Sequence, residues 1–168
     1  KYMKKLLALL FILNSLVSFS QDIILELNKI EEEKFILDGV VSDQEINEAK
    51  ILEVLYEEAP SFNTLPSQET IGFFTYSDKF LYVGVKAKRT KVIAPLTTRD
   101  NRAIWRGDFT GLAIDTYGDA RNNVILNSNP SGSQSDAIRL PGVGSGGGSS
   151  VNSNVNYDFK SAGRVTED

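Results

Sequence analysis

The 168-residue chain contains no cysteine and no histidine. Without cysteine there are no disulfides, so the fold has to stand on its own core. Without either residue there is no Ser-His-Asp or Cys-His nucleophile system and no ordinary zinc site, since each needs an imidazole or a thiolate. The metals left are hard, oxygen-seeking ions, calcium first among them. Tryptophan occurs once, so recognition by a flat aromatic face has a single indole to draw on. Basic charge is short as well, with 18 Lys and Arg against 22 Asp and Glu, a net charge of −4. Such a chain has no electrostatic hold on a nucleic acid or an anionic lipid surface, and neither is expected as a partner.

The longest apolar run sits at the start. Lys4 and Lys5 precede Leu6 to Val17, which is apolar except for Asn14 and Ser15, and Ser18-Phe19-Ser20 places small residues just before Gln21. This layout makes residues 1–20 a secretory signal peptide, too short for a membrane span of ~20 residues. Its removal takes Lys1, Lys4 and Lys5 and leaves 15 basic residues against 22 acidic ones, net −7. Export to the periplasm, the outer membrane or the cell surface is therefore expected. Residues 21–168 are long enough for one domain with a core of its own.

Within that domain the local pattern is that of strands. Ile23 to Leu27 and Lys34 to Leu37 read as two short strands around Glu31-Glu32-Glu33. Ser42-Asp43-Gln44-Glu45 is a capping-box signature that predicts a brief helix to about Ala49. The clearest hairpin joins Thr70–Tyr76 to Phe80–Ala87 through Ser77-Asp78-Lys79, and both arms are rich in β-branched and aromatic residues. Phe109–Ile114 and Asn123–Asn127 form a second pair, and Gln134–Leu140 follows the turn Asn129-Pro130-Ser131-Gly132. Residues 142–154 are Gly/Ser/Asn-rich and predict a long flexible loop inside the domain. The tail, Tyr157-Asp158-Phe159 and Gly163 onward, reads as the start of further strands, so the domain is expected to be incomplete at Asp168. Short strands at regular spacing with one short helix predict an all-β antiparallel β-sandwich of two layers, of the immunoglobulin or jelly-roll kind.

The candidate functional residues cluster in Trp105-Arg106-Gly107-Asp108 and the strand and turn that follow. Trp105 is either a sugar platform or a cover for one end of the sandwich. Asp108 and Asp115 flank a strand and lie ~20 Å apart when it is extended. Paired glycosidase carboxylates need roughly 5–10 Å, so no catalytic residue is expected. Asp115 and Asp119, across the turn D-T-Y-G-D, either hold calcium or cap the turn. Asn127, Asn129, Gln134 and Asp136 form a polar row that either faces a ligand or is a solvated sheet face.

The order Asp38-Gly39, capping-box helix, Leu81-Tyr82-Val83-Gly84, Arg99-Asp100-Asn101, Trp105-x-x-Asp108, Asp115 and Asn129-Pro130-x-Gly132 resembles the family 9 carbohydrate-binding module. The version it resembles most stands at the N-terminus of exported Bacteroidetes-type proteins with an outer-membrane barrel region downstream. The resemblance runs from about Ile23 to Asp168 and implies a β-sandwich that clamps a sugar between two tryptophans. It implies carbohydrate as a ligand and the barrel of the same chain as a partner. It also implies a place in carbohydrate breakdown beside a glycoside hydrolase-type activity elsewhere in the parent protein. The candidate ligand residues are then Trp105, Asp108, Asn127, Asn129 and Gln134. The family pattern W-x-x-D-x-x-E is met at Trp105 and Asp108, but Gly111 stands where the acid belongs. The second tryptophan of the clamp, and a last strand ending in Ile-Pro, are expected beyond Asp168. With half the clamp out of reach, a structural docking or plug domain for the barrel, with sugar binding lost, is the alternative reading.

Overall fold

The computed structural model describes residues 24–53, 56–57, 62–119, 121–141 and 150–167. The expected signal peptide and residues 142–149 of the Gly/Ser-rich loop lie outside these. Two antiparallel sheets form an all-β sandwich. One has the order β1 (Lys50–Glu53), β2 (Thr70–Tyr76), β3 (Leu81–Ala87). The other has the order β4 (Thr110–Ile114), β5 (Asn123–Ser128), β6 (Gln134–Leu140), β7 (Ser150–Asn152). Each sheet is a meander, with strands consecutive in sequence paired antiparallel.

The β2–β3 hairpin forms as its sequence predicts. Ser77 closes it, its backbone amide bonded to Phe80 O at 2.9 Å and its hydroxyl accepting from the amides of Lys79 and Phe80. Phe73 faces Gly84 across the pair, and both are crossed by Val41, to which a Cβ on Gly84 would come within 3.1 Å. Phe35 stacks on Tyr82 with ring centroids 4.6 Å apart, so the segment through residues 35–41 covers one face of this hairpin. Helix α1 (Asp43–Glu48) is capped as predicted. Ser42 Oγ accepts from Glu45 N, and the Glu45 carboxylate returns to Ser42 N at 2.8 Å, a reciprocal pair that satisfies two end groups of the helix.

Three expectations are corrected. No strand forms over residues 24–27 or 34–37. The chain meets β2 just after the first, at the isolated parallel bridge Lys29–Tyr76 and the bond from Thr75 Oγ1 to Asn28 O at 2.7 Å. In the second, the Ile36 amide is taken by the buried Glu45 carboxylate at 2.9 Å, so it is not available to a ladder. The tail 153–167 is not strand either, because side chains of β6 claim its backbone: Asp136 accepts from Tyr157 N, and Gln134 donates to Phe159 O. Strand β7, by contrast, lies within the segment read as loop, paired to the end of β6 through Ile138–Asn152 and Leu140–Ser150.

The interior is thin. Among the described residues only Ile30, Phe73, Ile104 and Ala137 are buried hydrophobics, while Leu81, Val85, Ile36 and Leu37 stay largely exposed. An open cleft of about 390 Å³ runs between the sheets and is bordered by residues 35–41 and 159–164.

Candidate functional site

Trp105 stands on a 3-10 helix, Arg102–Arg106, which follows the Asn101 cap; Asn101 Oδ1 accepts from Ala103 N at 2.9 Å. Ile104 anchors the helix at 0% exposure, and its neighbour Trp105 is turned outward at 49%. The indole is braced edge-on by Phe109, ring centroids 4.8 Å apart at 78°, an arrangement the aromatic quadrupole favours. Trp105 is thus neither a buried lid nor a free-standing platform. It is a half-exposed ring on a fixed support.

Gly107 explains how that support is held. A Cβ there would sit 2.2 Å from Ile93 O, so only glycine lets the chain pass so close to residues 93–95. Asp108 then fastens the crossing. Its amide donates to Ile93 O at 2.6 Å, its Oδ2 accepts from Ile93 N at 2.8 Å, and its Oδ1 pairs with Arg89 at 2.8 Å. The carboxylate expected to meet a sugar hydroxyl is therefore already engaged through both oxygens.

The polar row belongs to the interior. Asn127 and Asn129 are each 3% exposed and Asp136 is 1% exposed, so the reading of a solvated sheet face is overturned. Asn129 organises the β5–β6 turn: its Oδ1 accepts from the amides of Ser131 and Ser133, and its Nδ2 donates to Pro95 O at 2.7 Å. Gln134 ties the tail through Phe159 O and Ser161 Oγ and accepts from Arg99. Asp136 takes Arg99 at 2.9 Å, and the same guanidinium lies 5.2 Å over the Phe159 ring. Asn127 donates to Ser135 Oγ at 3.3 Å.

Gly111 is the residue that most changes the expected site. It pairs directly with Asn127 across β4–β5, and a Cβ on it would lie 2.6 Å from Asn127 Oδ1. The position where the resemblance calls for an acid has no space for any side chain while Asn127 keeps its place. The sequence showed both residues but not their register.

Asp115 and Asp119 behave as turn caps. Asp115 Oδ1 accepts from the amides of Tyr117 and Gly118, and Asp119 Oδ1 from those of Arg121 and Asn122. The Asn122 amide, then that of Arg121, holds the Asp119 carboxyl below its usual range. Among the described residues no group of three or more acidic side chains converges. This donor set suits backbone amides better than calcium, which takes six to eight oxygens.

The strap 89–101 connects these parts. It bonds Asp108 through Ile93, Asn129 and Ser133 through Pro95 and Thr97, and Asp136 through Arg99. The sequence-predicted residues thus divide into an exposed group around Trp105 and an interior group of Asn127, Asn129 and Gln134, joined by the strap and not by a common face. Comparison with protein-family models, curated proteins and solved structures finds no match for this chain.

Proposed function

We propose that this chain is a non-catalytic recognition domain of carbohydrate-binding type, carried by an exported protein concerned with carbohydrate breakdown. The observation that carries the reading is Trp105: a half-exposed indole on a capped, anchored turn, braced by Phe109. Such a ring offers a flat apolar face to the C–H side of a pyranose, and Arg102 and Arg106, exposed on the same turn, are donors for hydroxyls. One stacked face supplies roughly 1–3 kcal/mol by analogy with other stacked rings, which is short of the ~4 kcal/mol of a millimolar complex. Weak binding is therefore expected of these residues alone. Titration with glucose, cellobiose and xylo-oligosaccharides, read by Trp105 fluorescence, tests this. A small unsaturated change is expected. A dissociation constant well below ~1 mM would show that more than one ring is at work, and a flat signal would remove the sugar reading.

Two observations favour a second reading, a docking domain for a barrel later in the same chain. Asp108 is engaged by Arg89 and Ile93, and Gly111 has given its side-chain space to Asn127. Both positions that should serve a sugar serve the fold instead.

A further inference from the structure

The cleft between the sheets is distinct from the Trp105 surface. Its walls are apolar: Phe74, Leu81, Val83 and Val85 from one sheet, Leu112 and Leu126 from the other. Consecutive residues of three strands border it, Val83-Gly84-Val85 on β3, Thr110-Gly111-Leu112 on β4 and Leu126-Asn127-Ser128 on β5. Successive side chains of a strand point to opposite faces. Val83 and Val85 share one face of β3, and Thr110 and Leu112 one face of β4; at Gly84 and Gly111 between them the cleft meets backbone, since glycine has no side chain. Among the described residues β3 and β4 are sheet edges, β3 paired only to β2 and β4 only to β5. An edge strand carries a row of backbone amides and carbonyls open to pairing, and neither of these edges is blunted by proline.

Charge narrows the occupant further. Among the described residues that border the cleft, Lys160 and Arg164 are the only ionisable ones and none is a carboxylate, in a chain that is acidic overall. Ser128 adds a buried hydroxyl without a partner on the same wall.

We propose that this cleft accepts an extended polypeptide segment by β-strand addition. Its alternate apolar side chains enter between the sheets, its backbone pairs with the β4 or β3 edge, and an acidic group at one end meets Lys160 and Arg164. Edge pairing gives such a complex its affinity and the alternate pockets give it selectivity. β4 has five residues and β3 seven, so a segment that pairs along one of them spans five to seven residues. The inference does not rest on the sugar reading, and its test uses a different signal.

The test is a fluorescence-anisotropy titration of the 168-residue chain with a labelled peptide, Thr-Val-Thr-Val-Thr-Val-Asp. Saturable binding is expected, with a dissociation constant below ~1 mM. N-methylating two alternate amides on the pairing edge removes two backbone hydrogen bonds and is expected to weaken binding at least ~10-fold. Replacing the terminal Asp by Lys should weaken it as well, and the variant Lys160→Glu/Arg164→Glu should reverse that preference. Since both substituted side chains border an open cleft, circular dichroism of the variant checks that the fold is kept. Four results would overturn the proposal. The peptide fails to saturate, or the N-methylated peptide binds equally well, which makes the cleft a plain apolar slot. Dodecanoate displaces the peptide while N-methylation changes nothing, which makes it an acyl site. Sedimentation shows the chain already dimeric with the peptide excluded, which gives the edges to a second copy.

Discussion

Replacing Gly111 by alanine should expose the conflict between the strand and the buried amide beside it. In an ordinary strand interior glycine is less favourable than alanine by ~0.5–1 kcal/mol, so the change should stabilise. Here the new methyl would lie 2.6 Å from Asn127 Oδ1, and Asn127 is 3% exposed and bonded to Ser135. It cannot swing into water without breaking that bond, and overpacking of this kind costs ~1–3 kcal/mol. The net expectation for Gly111→Ala is a loss of about 1 kcal/mol, or roughly 2–4 °C in Tm for a domain of this size. In an Asn127→Ala background the obstruction is gone, and the same substitution should gain ~0.5–1 kcal/mol. The two changes should therefore couple by about 1.5–2 kcal/mol, against the ~0.3–0.5 kcal/mol scatter of independent sites. Urea unfolding of the four proteins, followed by far-ultraviolet circular dichroism, measures this directly. Additive effects, or stabilisation by Gly111→Ala alone, would refute the claim that Asn127 occupies the space of the missing acid.

Asp136→Ala should cost about 1–3 kcal/mol, since it removes the charge-assisted bond from Arg99 and releases Tyr157 N, while Arg99, a third exposed, keeps Gln134 and Tyr157 O. Hydrogen exchange should then accelerate over residues 155–161 well before it does in β2 and β3, and uniform loosening would argue against a local clamp. Export requires a mature chain that starts at or beside Gln21. N-terminal sequencing of membrane and periplasmic fractions should find that end, and an intact Lys4-Lys5 start there would contradict it.

The long strands were legible because β-branched and aromatic runs stand between turn residues that admit little else. Thr70–Tyr76 and Leu81–Ala87 fall where composition placed them, and Gln134–Leu140 where the turn at Asn129–Gly132 did. The short edges were not. Lys50-Ile51-Leu52-Glu53 follows a helix without any turn signal, and Ser150-Val151-Asn152 sits in a polar, glycine-rich run whose composition describes chain stiffness but not pairing. Lys34–Leu37 misled for another reason: a carboxylate from a different element took the amide that a ladder needs. The site was legible in its residue types and not in its depths. Asn127 and Asn129 look like surface residues in sequence, but the strap 89–101 takes the Asn129 side-chain amide at Pro95 O, and Asn127 is enclosed where it faces Gly111 and bonds Ser135.

One crossing governs how the molecule comes together in time. The backbones of Gly39, Gly163 and Asn129 are pressed so closely that a Cβ on Gly163 would lie 2.5 Å from Asn129 O, and one on Gly39 2.7 Å from the Gly163 carbonyl carbon. Positions 39 and 163 belong to nearly opposite ends of the described chain, so this junction closes only after almost all of it is free. Contacts of such long sequence separation slow folding, because loop entropy is lost before they form. A chain threaded across a membrane with its N-terminus first would wait, with this junction unformed, until the residues around Gly163 emerged. During that interval the apolar surface around it would be open to stray association, and a holding chaperone would have most to protect.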